Sequence, residues 1–198
     1  WAAPDIGAYV LSKPMAVAPG SQWTYNSAGP NLLHAAVPAL TGMDAFRFAR
    51  ENLFAPLGIE DFKWGAQPNG VAEGSAKMFL RPRDMAKLGY LCLKGGVWKG
   101  VQVVPSPWVE QSTRFKRSAK PKSPNDYAYL WWVRRVTTPK GAVIEYYQAE
   151  GDGGQYIVVV PVQDLVVVST GGNYGNFNTY DTQMSRLLGT YVLPAIGL

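Results

Sequence analysis

The hydrophobic pattern changes in character along the chain. Before residue 125, apolar residues recur every three or four positions in several stretches, which is the spacing of one helix face. The first stretch ends at Thr41-Gly42, and its apolar residues are Leu32, Leu33, Ala36, Val37 and Leu40. Bounding glycines and prolines predict further helices over about 43–57, 82–94 and 108–113.

After residue 125 the apolar residues come in short runs rich in β-branched and aromatic residues, which is typical of strands. These runs cover residues 129–136, 142–147, 155–160 and 165–170. Turns of only a few residues join them, so we predict antiparallel hairpins. Residues 178–191 return to helical spacing. The whole order predicts helices layered on a sheet, an α/β (α+β) fold.

Composition supports a folded domain and narrows the choice of partners. The sequence has 198 residues, 47% of them hydrophobic, which suffices for one domain with a packed core. No apolar run reaches the roughly 20 residues of a membrane-spanning helix. The net charge is +5, and much of the excess lies between Arg114 and Lys122. Prolines interrupt this run and no nucleic-acid motif accompanies it, so we interpret it as a solvated loop with no nucleic-acid partner.

Cysteine and histidine usage argues against several kinds of chemistry. Cys92 is the only cysteine, so an internal disulfide is excluded, and its leucine neighbours predict a buried, unreactive thiol. His34 is the only histidine, and it has no Cys, Asp or Glu at metal-ligand spacing. We therefore predict no metal and no cofactor, and a Ser-His-Asp triad is disfavoured.

Tyr25-Asn26-Ser27 is the first candidate for chemistry. A tyrosine at a junction between a loop and a helix can act as a general base if its pKa falls from about 10. Ser27 can exchange a hydrogen bond with a substrate. The alternative interpretation, favoured when these residues are taken alone, is that Ser27 caps the following helix and Tyr25 packs against its neighbours.

The second candidate is the glycine-rich segment 149–155, just before a strong predicted strand. Glycines allow a ligand to approach the backbone closely, and exposed N–H groups can stabilise an oxyanion. The alternative is a plain hairpin turn. The segment is not a phosphate-binding loop, because the required lysine and helix do not follow it.

Several segments together resemble the penicillin-recognising serine hydrolases, the superfamily of class C β-lactamases, DD-peptidases, serine esterases and nylon-oligomer hydrolases. The similarity runs in order along nearly the whole chain. The matching segments are PGSQWTYNS at 19–27, TG at 41–42 followed by LFAPLGI at 53–59, RPRDMAKLG at 81–89 with GG at 95–96, YLWW at 129–132, and 151–161.

The resemblance implies roles for four residues that would face one cleft. Tyr25 matches the proton-transfer tyrosine, and Ser27 and Gly151 match substrate-binding positions. The backbone N–H of Asp152 matches an oxyanion-hole donor. The sequence departs from the family where a lysine or histidine usually precedes the glycine, because Ala149-Glu150 stand there. That change weakens the case for an anionic substrate, which Glu150 would repel if it pointed into the cleft.

The family's nucleophile motif, Ser-x-x-Lys, occurs nowhere in the sequence. In the family it precedes the tyrosine motif, so the resemblance implies the C-terminal part of a longer hydrolase. The expected fold is β-lactamase/transpeptidase-like, an antiparallel sheet flanked by helices that lacks the N-terminal strands and nucleophile helix. We expect residues 1–198 to form a single partial domain, with a mostly helical lobe at 1–125 and the sheet and terminal helix at 126–198.

The implied activity is hydrolysis of an amide, ester or β-lactam through an acyl-enzyme. The alternative is a catalytically inactive binding or scaffold domain. A separate N-terminal segment that complements the chain is a further hypothesis, and an exposed sheet edge would favour self-association. The sequence leaves the substrate and the cellular compartment open.

Overall fold

The computed structural model describes residues 3–114, 117–118 and 126–198. Two compact units make up the chain, Trp1–Arg81 and Pro82–Leu198. Among the described residues, no helix combines the length and the apolar content that a membrane crossing requires.

The first unit holds three helices and a small hairpin. Its elements are α1 (Ile6–Leu11), α2 (Gly29–Thr41), α3 (Ala45–Ala49, continued by a π-helical turn at Arg50–Phe54), β1 (Phe62–Trp64) and β2 (Met78–Leu80). Phe54 and Leu57 are buried, and the Phe54 ring meets the Phe62 ring edge-on at 4.6 Å. Aromatic pairs in this geometry add stabilisation beyond the area that they bury. The core of this unit therefore lies between α3 and the β1–β2 hairpin.

Helix α2 forms where its periodicity predicts, but most of the apolar residues that mark it are not buried. Leu33 and Leu40 are exposed, and the only fully buried side chain of the helix is Asn31. Periodicity shows which side chains share a face, but it does not show whether another element covers that face. Polar contacts of Asn31, described below, hold the first turn of α2.

The second unit is built on a six-stranded antiparallel sheet of order β10-β9-β8-β7-β6-β5. Its strands are β5 (Arg117–Ser118), β6 (Asp126–Tyr127), β7 (Trp132–Thr137), β8 (Val143–Gly151), β9 (Gln155–Val160) and β10 (Leu165–Ser169). The prediction of antiparallel hairpins is confirmed. A separate hairpin and the helices complete the unit: β3 (Val97–Trp98), β4 (Val101–Gln102), α4 (Pro82–Leu93), α5 (Ser106–Arg114) and α6 (Phe177–Leu187, continued by Leu188–Val192 and Leu193–Ala195).

Two strand boundaries differ from the predicted ones. Strand β7 begins at Trp132 instead of residue 129, because Leu130 adopts a left-handed backbone with φ of 65° that interrupts pairing. Strand β8 extends to Gly151, since Gly151 and Glu150 pair with Gln155 and Tyr156. The segment predicted as a turn from residue 149 is therefore mostly strand, and only residues 152–154 form the turn.

The two faces of the sheet carry separate hydrophobic clusters. One cluster contains Tyr146, Tyr156 and Val158 of the sheet with Met184 and Leu188 of the C-terminal helices. The other contains Ala128, Val133, Tyr147 and Val159, against which Cys92 and Leu93 of α4 pack. Burial raises the pKa of the Cys92 thiol to about 11, so it is protonated and unreactive at neutral pH.

Helix α4 approaches the sheet closely because Gly89 has no side chain. A Cβ atom at this position would lie 2.7 Å from Val166 Cγ1 and 2.8 Å from Ile157 Cγ2. Both side chains are β-branched and have little rotamer freedom with which to yield.

Gly89→Ala is expected to destabilise the chain by about 1–3 kcal/mol through overpacking. Urea unfolding followed by circular dichroism measures this free energy. Val166→Ala in the same chain removes the clashing atoms and is expected to recover part of the loss. Gly172→Ala, a glycine in the same unit with nothing within 4 Å of the added Cβ, serves as the control. A Gly89→Ala chain as stable as this control would contradict the close approach.

Candidate active site

Tyr25 lies on the loop that leads into α2, and its side chain is 53% exposed. Its ring centroid is 6.4 Å from that of Trp23. The Asn26 Oδ1 atom accepts hydrogen bonds from Ala28 N–H at 2.7 Å and Gly29 N–H at 3.2 Å, so Asn26 stabilises the turn that leads into the helix. The N-cap residue is Ala28 and no side chain caps it, so the alternative in which Ser27 caps the helix is wrong.

Asn31, fully buried in the first turn of α2, bonds several parts of the first unit together. Its Oδ1 accepts from Gly74 N–H at 2.7 Å and from Gln67 Nε2 at 2.9 Å, and its Nδ2 lies 3.5 Å from the Ser27 carbonyl oxygen. Gln67 in turn accepts from Ile6 N–H at 3.1 Å. Buried amides satisfied in this way specify one conformation. The network fixes the start of α2 directly after Tyr25 and Ser27.

Glu73 extends this network with a buried carboxylate. Its Oε1 accepts from Ser75 N–H at 3.2 Å and from Ser75 Oγ at 2.8 Å. Burial by itself raises the pKa of Glu73, but hydrogen bonds from the Ser75 and Asn31 side chains outweigh it and hold this pKa below its ordinary value.

Because the pKa of Glu73 is lower in the folded chain, its ionised form stabilises the fold above the unfolded-state pKa of about 4.3. That stabilisation is expected to disappear as the pH falls through the lower, folded-state pKa. Glu73→Gln should flatten this part of the pH profile of the free energy of unfolding, measured by urea unfolding at a series of pH values. Parallel profiles for the two chains would show that Glu73 is not stabilised as an anion.

The second candidate is the turn after β8, in which Asp152 is exposed while Gly153 and Gly154 are buried. Gly151 is the last residue of β8, and Asp152 is exposed. Among the described residues, no acceptor is paired with the Asp152 N–H. Gly153 has a φ of +83°, and a Cβ there would meet the Tyr174 ring at 2.7 Å. Only glycine therefore fits this position of the turn.

The Glu150 side chain is largely buried and is paired with a cation. Its Oε2 accepts from Arg134 Nη2 at 2.8 Å and from Gln148 Nε2 at 2.8 Å, and the two charged side chains are 8% and 11% exposed. Alternation along β8 places Glu150 on the same sheet face as Tyr146. Ala149 therefore lies on the opposite face, where the family pattern has its cation. The carboxylate does not stand free to repel an anion, in contrast to the concern raised by the sequence.

Glu150→Ala is expected to cost about 3–5 kcal/mol, because it leaves the Arg134 charge buried without its carboxylate. Glu145→Ala is a matched control in the same strand. Glu145 pairs with Arg135 at 3.0 Å but both side chains are almost half exposed, so its loss should cost less than about 1 kcal/mol. Urea unfolding of the two variants measures the difference, and equal costs would contradict the burial of the pair.

Two candidate site residues lie in each unit: Tyr25 and Ser27 in the first, Gly151 and Asp152 in the second. Among the described residues, no group of three His, Cys, Asp or Glu side chains is arranged to hold a metal ion. The sequence analysis missed the loop at 171–175, which is bonded to the turn after β8. The signal for it is the run TGGNYG, rich in glycine and lying between the last strand and the terminal helix.

Comparison with known proteins identifies the class of protein. The sequence model of the Beta-lactamase family matches residues 1–182. The chain belongs to the Beta-lactamase family, and the resemblance to the penicillin-recognising serine hydrolases is confirmed. An uncharacterised protein of Alkalihalophilus pseudofirmus is 26% identical over 188 residues, which are 79% of this chain and 54% of that protein.

Solved structures confirm the β-lactamase/transpeptidase-like fold. A candidate 6-aminohexanoate-dimer hydrolase from Bacillus anthracis matches with a TM-score of 0.75 and 21% identity, over 92% of this chain and 48% of that one. A mutant class C β-lactamase matches with a TM-score of 0.68 and 12% identity, over 91% of this chain and 62% of that one. The chain spans about half the length of the relatives that it matches.

Proposed function

We propose that this chain is the C-terminal part of a serine hydrolase that cleaves an uncharged amide or ester through an acyl-enzyme. The observation that carries the proposal is the turn after β8. It presents the Asp152 N–H, which has no acceptor among the described residues, at the position that matches the family's oxyanion donor. A fixed donor of this kind stabilises a developing oxyanion without reorganisation, and removing one such donor typically costs about 10²–10³ in rate.

In the proposed reaction a serine Oγ outside residues 1–198 attacks the substrate carbonyl carbon. Its proton passes to Tyr25 and the lysine of the nucleophile motif, and the Asp152 N–H binds the resulting oxyanion. Collapse of the intermediate expels the leaving amine or alcohol, which takes up that proton. Water then attacks the acyl-enzyme and releases the acid. Ser27 in the first unit and Gly151 in the second are the proposed substrate-binding residues.

The sheet face that carries Ala149 supports an uncharged substrate. The family pattern has a lysine or histidine there, and Ala149 supplies no charge to pair with a substrate carboxylate. The names of two structural neighbours indicate cleavage of an amide bond, the candidate 6-aminohexanoate-dimer hydrolase and a D-stereospecific amidohydrolase from Streptomyces. A β-lactam, whose carboxylate needs a cation, fits this surface less well than a neutral amide or ester.

A second candidate function is a binding domain without catalysis. The observation that favours it is the absence of Ser-x-x-Lys from residues 1–198. Such a domain would use the same Asp152 N–H to bind a carbonyl oxygen without breaking a bond.

Labelling with a fluorophosphonate probe separates these two functions. We expect the complete gene product to be labelled at a serine outside residues 1–198, and the 198-residue chain alone to remain unlabelled. A fluorescent penicillin is expected to label more slowly than the fluorophosphonate. Labelling of a serine within residues 1–198 would contradict the proposal, and no labelling of the complete product would favour the binding domain.

Tyr25→Phe tests the proposed proton transfer. Loss of a general base typically costs about 10²–10⁴ in rate, so we expect a decrease of that size in kcat for a p-nitrophenyl ester. Tyr9→Phe is the matched control, because Tyr9 is also exposed in the first unit but lies outside the motif. Equal rates for the two variants would remove Tyr25 from the mechanism.

A further inference from the structure

An exposed tyrosine is held against the turn that carries the proposed oxyanion donor. Tyr174 lies on loop 171–175 between β10 and α6, and its side chain is 67% exposed. Its ring packs against Gly153, where a Cβ atom would lie 2.7 Å from Cδ1 and 2.8 Å from Cε1. Gly153 directly follows Asp152. The ring therefore contacts the residue that follows Asp152, while much of Tyr174 is open to solvent.

Backbone hydrogen bonds fix the position of this ring. Asn173 N–H donates to the Gly153 carbonyl at 3.0 Å, and Gly175 N–H donates to Asp152 Oδ1 at 3.2 Å. These two bonds flank Tyr174 on both sides in sequence. The Asp152 carboxylate is thereby bonded to the loop, while the Asp152 N–H is left for a ligand.

Gln155 adds a second connection between the loop and the turn. Its Nε2 donates to the Gly171 carbonyl at 2.6 Å, and its Oε1 accepts from Gly171 N–H at 3.4 Å. The Gln155 Nε2 also lies 3.5 Å from the Tyr174 hydroxyl. A ring held from several directions loses little conformational entropy when a ligand packs against it, which favours binding.

We infer that Tyr174 is a specificity-determining residue, and this inference rests on the proposed function. Its ring forms a wall that packs against the apolar acyl chain of a neutral substrate whose carbonyl oxygen binds the Asp152 N–H. A flat aromatic surface beside a carbonyl site favours alkyl or aryl groups over small or charged ones, because burial of apolar area supplies the binding energy. The substrate class is therefore amides and esters of medium-chain or aromatic acids.

The test is a binding measurement that requires no catalysis. The 198-residue chain is titrated with hexanamide and with acetamide, and the affinities are read from the backbone NMR shifts of Asp152 and Gly153. We expect hexanamide to bind roughly tenfold more tightly than acetamide, as burial of its alkyl chain implies. Tyr174→Ala should reduce this ratio to about two, whereas Tyr174→Phe, which keeps the ring, should preserve it.

Tyr191→Ala is the matched control, because Tyr191 is a similarly exposed tyrosine of the same unit that lies outside loop 171–175. Its ratio is expected to equal that of the unaltered chain. Protection of the Asn173 and Gly175 amides from hydrogen exchange shows whether the loop keeps its hydrogen bonds in each variant. If Tyr174→Ala opens the loop, Tyr174→Leu is compared with the unaltered chain instead. Leucine keeps apolar bulk without the flat ring, so its ratio of hexanamide to acetamide affinity should lie between those expected for Tyr174→Ala and Tyr174→Phe.

An unchanged ratio in Tyr174→Ala, or no preference for hexanamide in the unaltered chain, would overturn the inference. Failure of the proposed function gives a different result. In that case the complete gene product is not labelled by the fluorophosphonate, while the preference for hexanamide and its dependence on Tyr174 persist.

Discussion

The alternation of side chains along β8 is the constraint on which the second unit depends. Successive residues of a strand point to opposite faces, so Tyr146 and Tyr147 enter the two different hydrophobic clusters of the sheet. The same alternation carries on to the end of the strand. It turns Glu150 toward Arg134 and leaves Ala149 on the other face. Strand pairing with β9 then fixes where the strand ends and where the Asp152 turn begins. A shift of one residue in this pairing would exchange the faces of all these side chains.

In both candidate sites, an exposed residue lies on a backbone segment that hydrogen bonds hold in place. In the first unit, buried Asn31 bonds to Gly74 and Gln67 and fixes the helix start after the Tyr25 loop. In the second unit, loop 171–175 is bonded to the turn that carries Asp152. Groups that act on a substrate must keep their positions without the help of the substrate. The polar networks supply this rigidity where hydrophobic packing, which would bury the groups, cannot.

The sequence predicts those parts of the structure that depend on local periodicity and turn chemistry. Helix α4 and strand β9 lie where the pattern places them, since Pro82 and the run after Gly154 give clear boundaries. The exposure of Leu40 was not predictable, because it depends on the absence of a covering element and not on the residues of the helix. The pairing of Glu150 with Arg134 could not be predicted from the sequence either. The two residues lie sixteen positions apart, and only the register of β7 and β8 brings them together.

The candidate site residues came from the resemblance and not from periodicity, and their roles remain predictions. From their spacing alone, Tyr25 and Ser27 could not be distinguished from residues that merely start and cap a helix. The structure adds that Ala28 is the N-cap of α2 and that no side chain caps it, so Ser27 does not have the capping role. The importance of Tyr174 could not be inferred from its sequence, because its contact with Gly153 depends on the loop returning from β10 to the β8–β9 turn.

The buried pair of Glu150 and Arg134 has an electrostatic consequence for the proposed oxyanion site. Glu150 is two residues before Asp152, so its carboxylate lies on the order of 7 Å from that turn along an extended strand. A free carboxylate at this distance would oppose an oxyanion by about 2 kcal/mol at an effective dielectric constant near 20. Arg134 at 2.8 Å offsets that charge, and Ala149 adds none on the opposite face. Glu150 therefore adds little net charge at the end of β8. The charge nearest the Asp152 N–H is the carboxylate of Asp152 itself, which accepts a hydrogen bond from Gly175 N–H.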